Sequence, residues 1–413
     1  MPSSPHRCRA CKAELIHTFV DLGMSPLCQT QIPASELDRA ETFYPLHARV
    51  CSRCYLVQLE EYVSPEVIFD ETYPYFSSYS DTWLEHARGY VEKMVTEHGI
   101  GPRSFVVEIA SNDGYLLQHV QARGIRCLGV EPTAGTARAA LARGIPTRIE
   151  FFGTELANRL REQEGAADLM LGNNVLAHVP NLHDFVEGVA VLLAPDGLCT
   201  FEFPHLMRLI EFNQFDTIYH EHFSYFSFTT VSEVFAAHGL ALFDVDELPT
   251  HGGSLRVYGQ PRATGRRMRT ARVDALLAGE EKERVRDLAT YGRFEARVHA
   301  TKRNLLRFLI DARDAGRVVV GYGAPGKGNT LLNYCGIRAD LLAYTVDRNP
   351  AKQGTYTPGT RIPILDPETI RSTRPDFVLI LPWNLRDEIA TQMSFIRDWS
   401  GRFVVPIPTV ETF

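Results

Sequence analysis

At 413 residues the chain is too long for one ordinary hydrophobic core, and about 150 residues per domain predicts two or three folding units. Its 45% hydrophobic and 23% charged residues, with 30 Gly and 24 Pro scattered along the chain, exclude disorder and collagen-like repeats. A net charge of −7 gives no electrostatic footprint for nucleic acid or an anionic membrane, so a small soluble substrate is the expected partner.

The start lacks an apolar signal segment, and no stretch approaches the roughly 18 uninterrupted apolar residues of a membrane span, which predicts a cytoplasmic protein. In a reducing compartment the 8 Cys are metal or redox candidates rather than a disulfide framework. Cys8-Arg-Ala-Cys11 and Cys51-Ser-Arg-Cys54 form two C-x-x-C knuckles whose spacing fits a closed, structural Cys₄ zinc site. The alternatives are unrelated cysteines or a redox pair, and the redox pair is weakened because neither motif opens a helix after a parallel strand. Cys28, Cys127, Cys199 and Cys335 stand alone and read as small core or loop residues.

Tyr55 to Leu59 reads as a strand. The run Tyr73 to Ser80, with three tyrosines and three serines, suits either an aromatic loop packed between domains or a lid over a ligand. Trp83 to His98 has the spacing of an amphipathic helix. Ser104 to Leu117 is then a buried strand, a polar turn (Glu108-Ile-Ala-Ser-Asn-Asp-Gly114) and a helix start, the first unit of a doubly wound sheet. The next strand, Arg126 to Glu131, ends in a carboxylate placed for the two hydroxyls of a ribose. One Gly stands in the turn where a dinucleotide fingerprint has three, which favours S-adenosylmethionine over a pyrophosphate cofactor. A third strand, Ala167 to Asn174, delivers Asn173 and Asn174 to the ligand edge, with His178 close behind. Gly197 to Pro204 is a further strand. This order of polar turn and second-strand acid resembles class I S-adenosylmethionine-dependent methyltransferases.

Asp216 to Ser227 concentrates Tyr219, His220, Glu221, His222 and Tyr225 among phenylalanines, which is costly unless the cluster faces a site. A zinc-protease motif would need His where Ser224 stands. Three readings stay open: a second metal site on His220 and His222, a hydrogen-bonded inter-domain loop, or a histidine general base with aligning partners, which a reference pKa of about 6.5 permits. Further on, Gly252 to Gly259 reads as a strand and Glu280 to Ala315 as a charged helical region with a solvated face. Arg317 to Asn333 gives a strand, a G-x-G-x-x-G turn and a helix, and Tyr344 to Asp347 a second strand ending in an acid, which on paper is an NAD fingerprint. Only some eighty residues follow it, enough for half of a dinucleotide fold. Phe377 to Leu381 is another strand on that edge.

Cys8-x-x-Cys11 with Cys51-x-x-Cys54, Glu108 to Gly114, Asn173-Asn174-Val-x-x-His178, Tyr219-His-Glu-His222 and Gly321-Tyr-Gly-Ala-x-x-Lys327-Gly-Asn329 occur in this order. Together they resemble the nucleotide-sugar C-methyltransferases of antibiotic deoxysugar biosynthesis, especially the 3-C-methyltransferases acting on TDP-4-ketohexoses, over almost the whole chain. The resemblance implies an α/β protein with a small N-terminal zinc-binding module (1–72), a central class I methyltransferase Rossmann-like domain (73–245), and a C-terminal Rossmann-like domain (246–413) that helps bind the nucleotide sugar. It implies structural zinc on Cys8, Cys11, Cys51 and Cys54, and S-adenosylmethionine on Glu108, Ala110, Asn112, Asp113, Gly114, Glu131, Asn173 and Asn174. It also implies His222 as base beside Tyr73, Tyr219 and Glu221, with Ser78, His178, Lys327 and Asn329 against the TDP-4-keto-deoxysugar. The glycine turn at Gly321 would then hold the sugar's pyrophosphate at a helix end, with Lys327 nearby. An NAD-dependent nucleotide-sugar oxidoreductase and a zinc-stabilised nucleotide-sugar binding protein are the rival readings. The oligomeric state stays open, a monomer included.

Overall fold

The computed structural model describes residues 6–69 and 76–413. In the N-terminal module, strand β1 (His17–Ser25), whose burial alternation is broken by two register shifts, pairs antiparallel with the alternating β2 (Tyr44–Val50), and β2 continues onto β3 (Val57–Gln58). Only Val57 and Gln58 of the strand expected over Tyr55 to Leu59 keep ladder geometry, because Tyr55 takes φ +58 to close the second knuckle.

The central unit starts with helix α1 (Asp81–His98), capped by the Ser80 hydroxyl at its first turn and by Gly99 at φ +71. Strands β4 (Phe105–Ile109), β5 (Arg126–Val130) and β6 (Thr147–Arg148) follow, then β7 (Ala167–Asn173) and β8 (Leu193–Pro204). All five residues of β4 are buried, as expected of a parallel strand covered on both faces. After the two-residue β9 (Ser224–Tyr225) come helix α2 (Phe228–Ala237) and the hairpin β10 (Leu240–Leu248) and β11 (Ser254–Pro261). The seven-stranded order is β6-β5-β4-β7-β8-β11-β10, with β11 antiparallel to β8. The domain boundary expected at 245 thus falls inside a hairpin, and the central sheet runs on to Pro261. Helix α3 (Ala271–Lys282) packs on it as well, its buried Val273 belonging to the same hydrophobic core.

The charged region after Glu280 is broken where Arg284 takes φ +55 and Asp287 caps a short turn, before helix α4 (Phe294–Asp314) begins. The C-terminal unit holds β12 (Val319–Tyr322), helix α5 (Gly326–Cys335), β13 (Thr345–Val346), β14 (Ile364–Leu365), β15 (Phe377–Ile380), β16 (Arg402–Val405) and β17 (Glu411–Thr412). Their order, β14-β13-β12-β15-β16-β17, is that of a doubly wound dinucleotide fold. Eighty residues suffice for more than the half expected because β13, β14 and β17 are two residues long. No helix among the described residues is long and apolar enough to cross a membrane.

The three units share their cores. Phe19 of β1 stacks on Phe294 of α4 at 4.4 Å, and β9 of the central unit supplies the fourth strand of the N-terminal sheet by pairing with β3.

Candidate active site

The four knuckle cysteines converge. Their sulfurs all lie within 4.8 Å of one another, with Cys8 to Cys54 at 3.5 Å and Cys11 to Cys51 at 3.4 Å. A tetrahedron with zinc–sulfur bonds of about 2.3 Å needs sulfurs at such separations, and four thiolates leave no position for substrate, so the donor set fits structural zinc. Local backbone makes this possible: Lys12 and Tyr55 follow the knuckles at φ +62 and +58, and their N–H groups donate back to the carbonyls of Cys8 and Cys51. Among the described residues no second metal-ligand cluster occurs. His220 turns its Nε2 to the Pro45 carbonyl at 3.2 Å while His222 turns its Nδ1 to the Thr217 carbonyl at 2.8 Å, so the two do not form a metal pair.

A cavity of about 410 Å³ opens at the carboxyl edge of β4, β5, β7 and β8, within the range of small-molecule sites. Ala110, Asn112, Glu131, Asn173 and Asn174 line it. Ala110 and Asn112 take φ +56 and +51, a strained turn that brings the Asn112 N–H to Glu131 Oε2 at 2.9 Å while Thr133 N–H holds Oε1 at 2.8 Å. The carboxylate is thereby fixed on the wall with acceptor capacity left for ribose hydroxyls. Asn173 Oδ1 and Asn174 Oδ1 have no partner among the described residues and present acceptors to a cationic amino group. Glu108 lies buried behind the turn, its carboxyl pushed well above the usual range by burial and further raised by Glu131 and Asp113. A fixed Glu131 for ribose hydroxyls and two free amide oxygens for an amino group are the contacts a nucleoside with a cationic tail needs, so these residues fit S-adenosylmethionine.

Other expected cofactor residues stand behind that wall. Asp113 pairs with Arg143 at 3.0 Å and accepts a bond from Ser78, and Gly114, at φ +78, is required because a Cβ there would meet Ile145 at 2.8 Å. Ser78 is therefore committed to Asp113 and Arg143 and does not line the cavity, whereas its neighbour Ser77 does. Tyr73 lies outside the described residues.

The same cavity is also lined by His178, Tyr219, Glu221, His222, His251 and Lys327. The His222 ring lies 4.7 Å from that of His178 and 4.0 Å from that of Tyr219. Burial, and then the neighbouring His178, hold the His222 imidazole well below its ordinary pKa, and burial lowers His178 to about 4. Both rings are neutral at pH 7. Glu221, almost fully buried, accepts the Cys28 thiol at 3.6 Å.

His251 was not singled out from the sequence. It takes φ +54 in the tight turn between β10 and β11 and meets Asn174 Nδ2 at 3.1 Å, and Thr-His-Gly-Gly after a strand was the available signal. Also unforeseen is the buried network behind Trp83. Glu202 binds His86 at 2.8 Å, Arg256 at 2.7 Å and Thr250 at 2.9 Å, and His86 stacks on the cavity-lining Trp83. Burial would raise the Glu202 carboxyl, but His86 and Arg256 outweigh it and hold it at about 2. Its contribution is therefore present above the unfolded value of about 4.3 and is lost as pH falls toward 2. Glu202→Ala should destabilise by about 3–5 kcal/mol at pH 7, with the difference shrinking below pH 4. Urea unfolding at both pH values tests this, and equal stabilities at pH 7 would count against it.

The glycine-rich turn of the C-terminal unit is filled by the protein itself. A Cβ at Gly323 would meet Pro382 at 2.6 Å and one at Gly326 would meet Cys28 Sγ at 2.9 Å, while Asn329 donates to the Cys28 carbonyl at 2.6 Å. Residues 28 and 29 thus close over the start of α5, where a dinucleotide or a sugar's pyrophosphate was expected. Asn329 is buried there and does not line the cavity, although Lys327 does.

The seven-stranded order, with an antiparallel last-but-one strand and a carboxylate-edged cleft, defines a class I methyltransferase carrying a Cys₄ module. Family models agree: a zinc binding domain over residues 8–69, a methyltransferase domain over 83–245 and a C-methyltransferase C-terminal domain over 249–408. C-methyltransferase NovU of Streptomyces niveus is 37% identical over 404 residues, covering 97% of this chain and 95% of that protein. The chain belongs to this C-methyltransferase family. Among solved structures, magnesium protoporphyrin IX methyltransferase (ChlM) of Synechocystis PCC 6803 with bound SAM is 13% identical, covering 43% of this chain and 78% of that one with a TM-score of 0.33. The YcgJ protein of Bacillus subtilis is also 13% identical, covering 43% and 99% with a TM-score of 0.35.

Proposed function

We propose that the protein transfers the methyl group of S-adenosylmethionine to C3 of a TDP-linked 4-keto-deoxysugar, with His222 as the base. One observation carries this reading. The Nδ1–H of His222 is committed to the Thr217 carbonyl at 2.8 Å, which fixes the tautomer and leaves Nε2 as an unprotonated acceptor on a ring that lines the cavity shared with Glu131.

S-adenosylmethionine supplies an electrophilic sulfonium methyl. The 4-ketone acidifies the neighbouring C3–H, and His222 Nε2 takes that proton while the C–H electron pair moves into the enolate. C3 then bonds to the methyl carbon, the sulfur keeps the C–S pair, and the ketone re-forms. Tyr219 or Tyr73 would donate to the enolate oxygen, and Glu221, held by Cys28, would orient the sugar or the base. His178, neutral and edge-on to His222, keeps a second imidazole within the same wall.

Incubating the protein with S-adenosylmethionine and a panel of TDP-4-keto-deoxysugars should give one product heavier by a single methylene, readable by mass spectrometry. No methylated sugar from any of them would sink the reading. Glu131→Ala should weaken S-adenosylmethionine binding about 10- to 100-fold, since hydrogen bonds to a charged group contribute about 1.5–3 kcal/mol. Titration calorimetry giving an unchanged Kd would remove Glu131 from the cofactor site.

A further inference from the structure

We propose that Lys327 supplies the positive charge that stabilises the enolate oxygen, and that Trp383 and Asp216 hold its ammonium in place. This rests on the methyl-transfer reading above. It moves Lys327 from the expected pyrophosphate contact to the reacting centre, because residues 28 and 29 cover the start of α5 while the side chain itself reaches the wall that carries His222.

The arrangement uses both polarities of one indole. Trp383 Nε1 donates from the ring edge to Asp216 Oδ2 at 2.7 Å, and the Lys327 ammonium sits over the ring, 4.7 Å from its centroid. The negative face of an indole attracts a cation and its positive edge an anion, so Trp383 separates the two charges instead of letting them pair. No ion pair within 4.0 Å joins Lys327 to Asp216 among the described residues. Among the described residues the ammonium keeps one other anchor, Asn384 Oδ1 at 2.8 Å, which leaves it donor capacity for the cavity.

The geometry around the tryptophan is tight. A Cβ at Gly252 would meet its ring at 2.6 Å, so the β10–β11 turn that carries His251 packs directly on it. Asp216 is fully buried, and its other carboxylate oxygen has no partner among the described residues. Burial pushes Asp216 up to about 6 and pushes Lys327 down, each opposed by the other, and the lysine charge is felt at both His222 and His251. Lys327 and His222 line one cavity, so the ammonium can meet the substrate where enolate charge develops.

The test uses TDP-4-keto-6-deoxyglucose as probe and follows methylation with S-adenosylmethionine, together with deuterium uptake beside the ketone in D₂O. Lys327→Met should lower kcat and the deuterium uptake by about 10²–10³ with KM for the sugar nucleotide changed less than threefold, the size of one lost oxyanion donor. Lys327→Arg should recover part of that loss. Trp383→Phe, which keeps the ring face and removes the N–H, should lower kcat about tenfold, with thermal melting confirming the fold. A Lys327→Met effect confined to KM, or Trp383→Phe turnover equal to wild type, would overturn the assignment. A wild-type protein that neither methylates nor exchanges a proton on this probe or any other TDP-4-keto-deoxysugar of the panel would count instead against the methyl-transfer reading, and against this role with it.

Discussion

His222→Asn should lose about 10²–10⁴ in turnover while S-adenosylmethionine still binds. The amide can keep the bond to the Thr217 carbonyl that the imidazole makes at 2.8 Å, so the loop from Thr217 to Phe223 stays in place and only proton acceptance is removed. Burial dominates the lowering of the His222 pKa, followed by the neighbouring His178 imidazole. The pH profile follows in sign: the base is unprotonated above its depressed pKa, so wild-type kcat/KM should stay level as pH falls through 6.5 and decline only below it. Steady-state kinetics with a TDP-4-ketosugar, beside calorimetry for the cofactor, checks both parts. Near-wild-type turnover, or an acid limb at or above 6.5, would take the base role from His222.

The second large effect concerns the zinc staple. Cys51→Ser should abolish metal binding, lower the melting temperature and reduce turnover more than tenfold. Apparent zinc binding to such ligand sets contributes about 10–16 kcal/mol, comparable to or larger than the 5–15 kcal/mol that keeps an ordinary domain folded. The damage should reach the active site because the staple is continuous with it. Cys51 and Cys54 lead straight into β3, which pairs with β9 two residues after His222, and Leu59 N–H donates to the Phe223 carbonyl at 3.0 Å. From the first knuckle, Arg9 donates to the Pro180 carbonyl at 2.9 Å, two residues after His178. Elemental analysis should find one zinc per wild-type chain and none in the variant. A metal-free Cys51→Ser protein that melts with wild type would refute the structural role.

Spacing alone made much of this legible. Two C-x-x-C knuckles specify four thiolates wherever the intervening loop goes, because each knuckle closes through its own backbone bonds. The Phe105–Ile109 strand with its turn, and Glu131 twenty residues on, are local patterns whose position at a sheet edge follows from right-handed crossover connections. The His222 cluster showed itself by the cost of placing so many ionisable groups among phenylalanines.

Tertiary structure decided the remainder, for reasons of partner identity that no local pattern contains. The glycine turn at Gly321 to Gly326 has the same backbone whether a phosphate or a protein segment approaches it, and only the fold brings Cys28 to Gly326. Ser78 and Asn329 bind within the protein because Asp113 with Arg143, and the Cys28 carbonyl, reach them first. The Glu202–His86–Arg256 network joins residues up to 170 positions apart. What the sequence determined by itself were the chemical inventories: the metal set, the acid-lined turn and the neutral imidazole. Which of those side chains share one cavity was set by packing, since a side chain's role depends on the surface that folds against it.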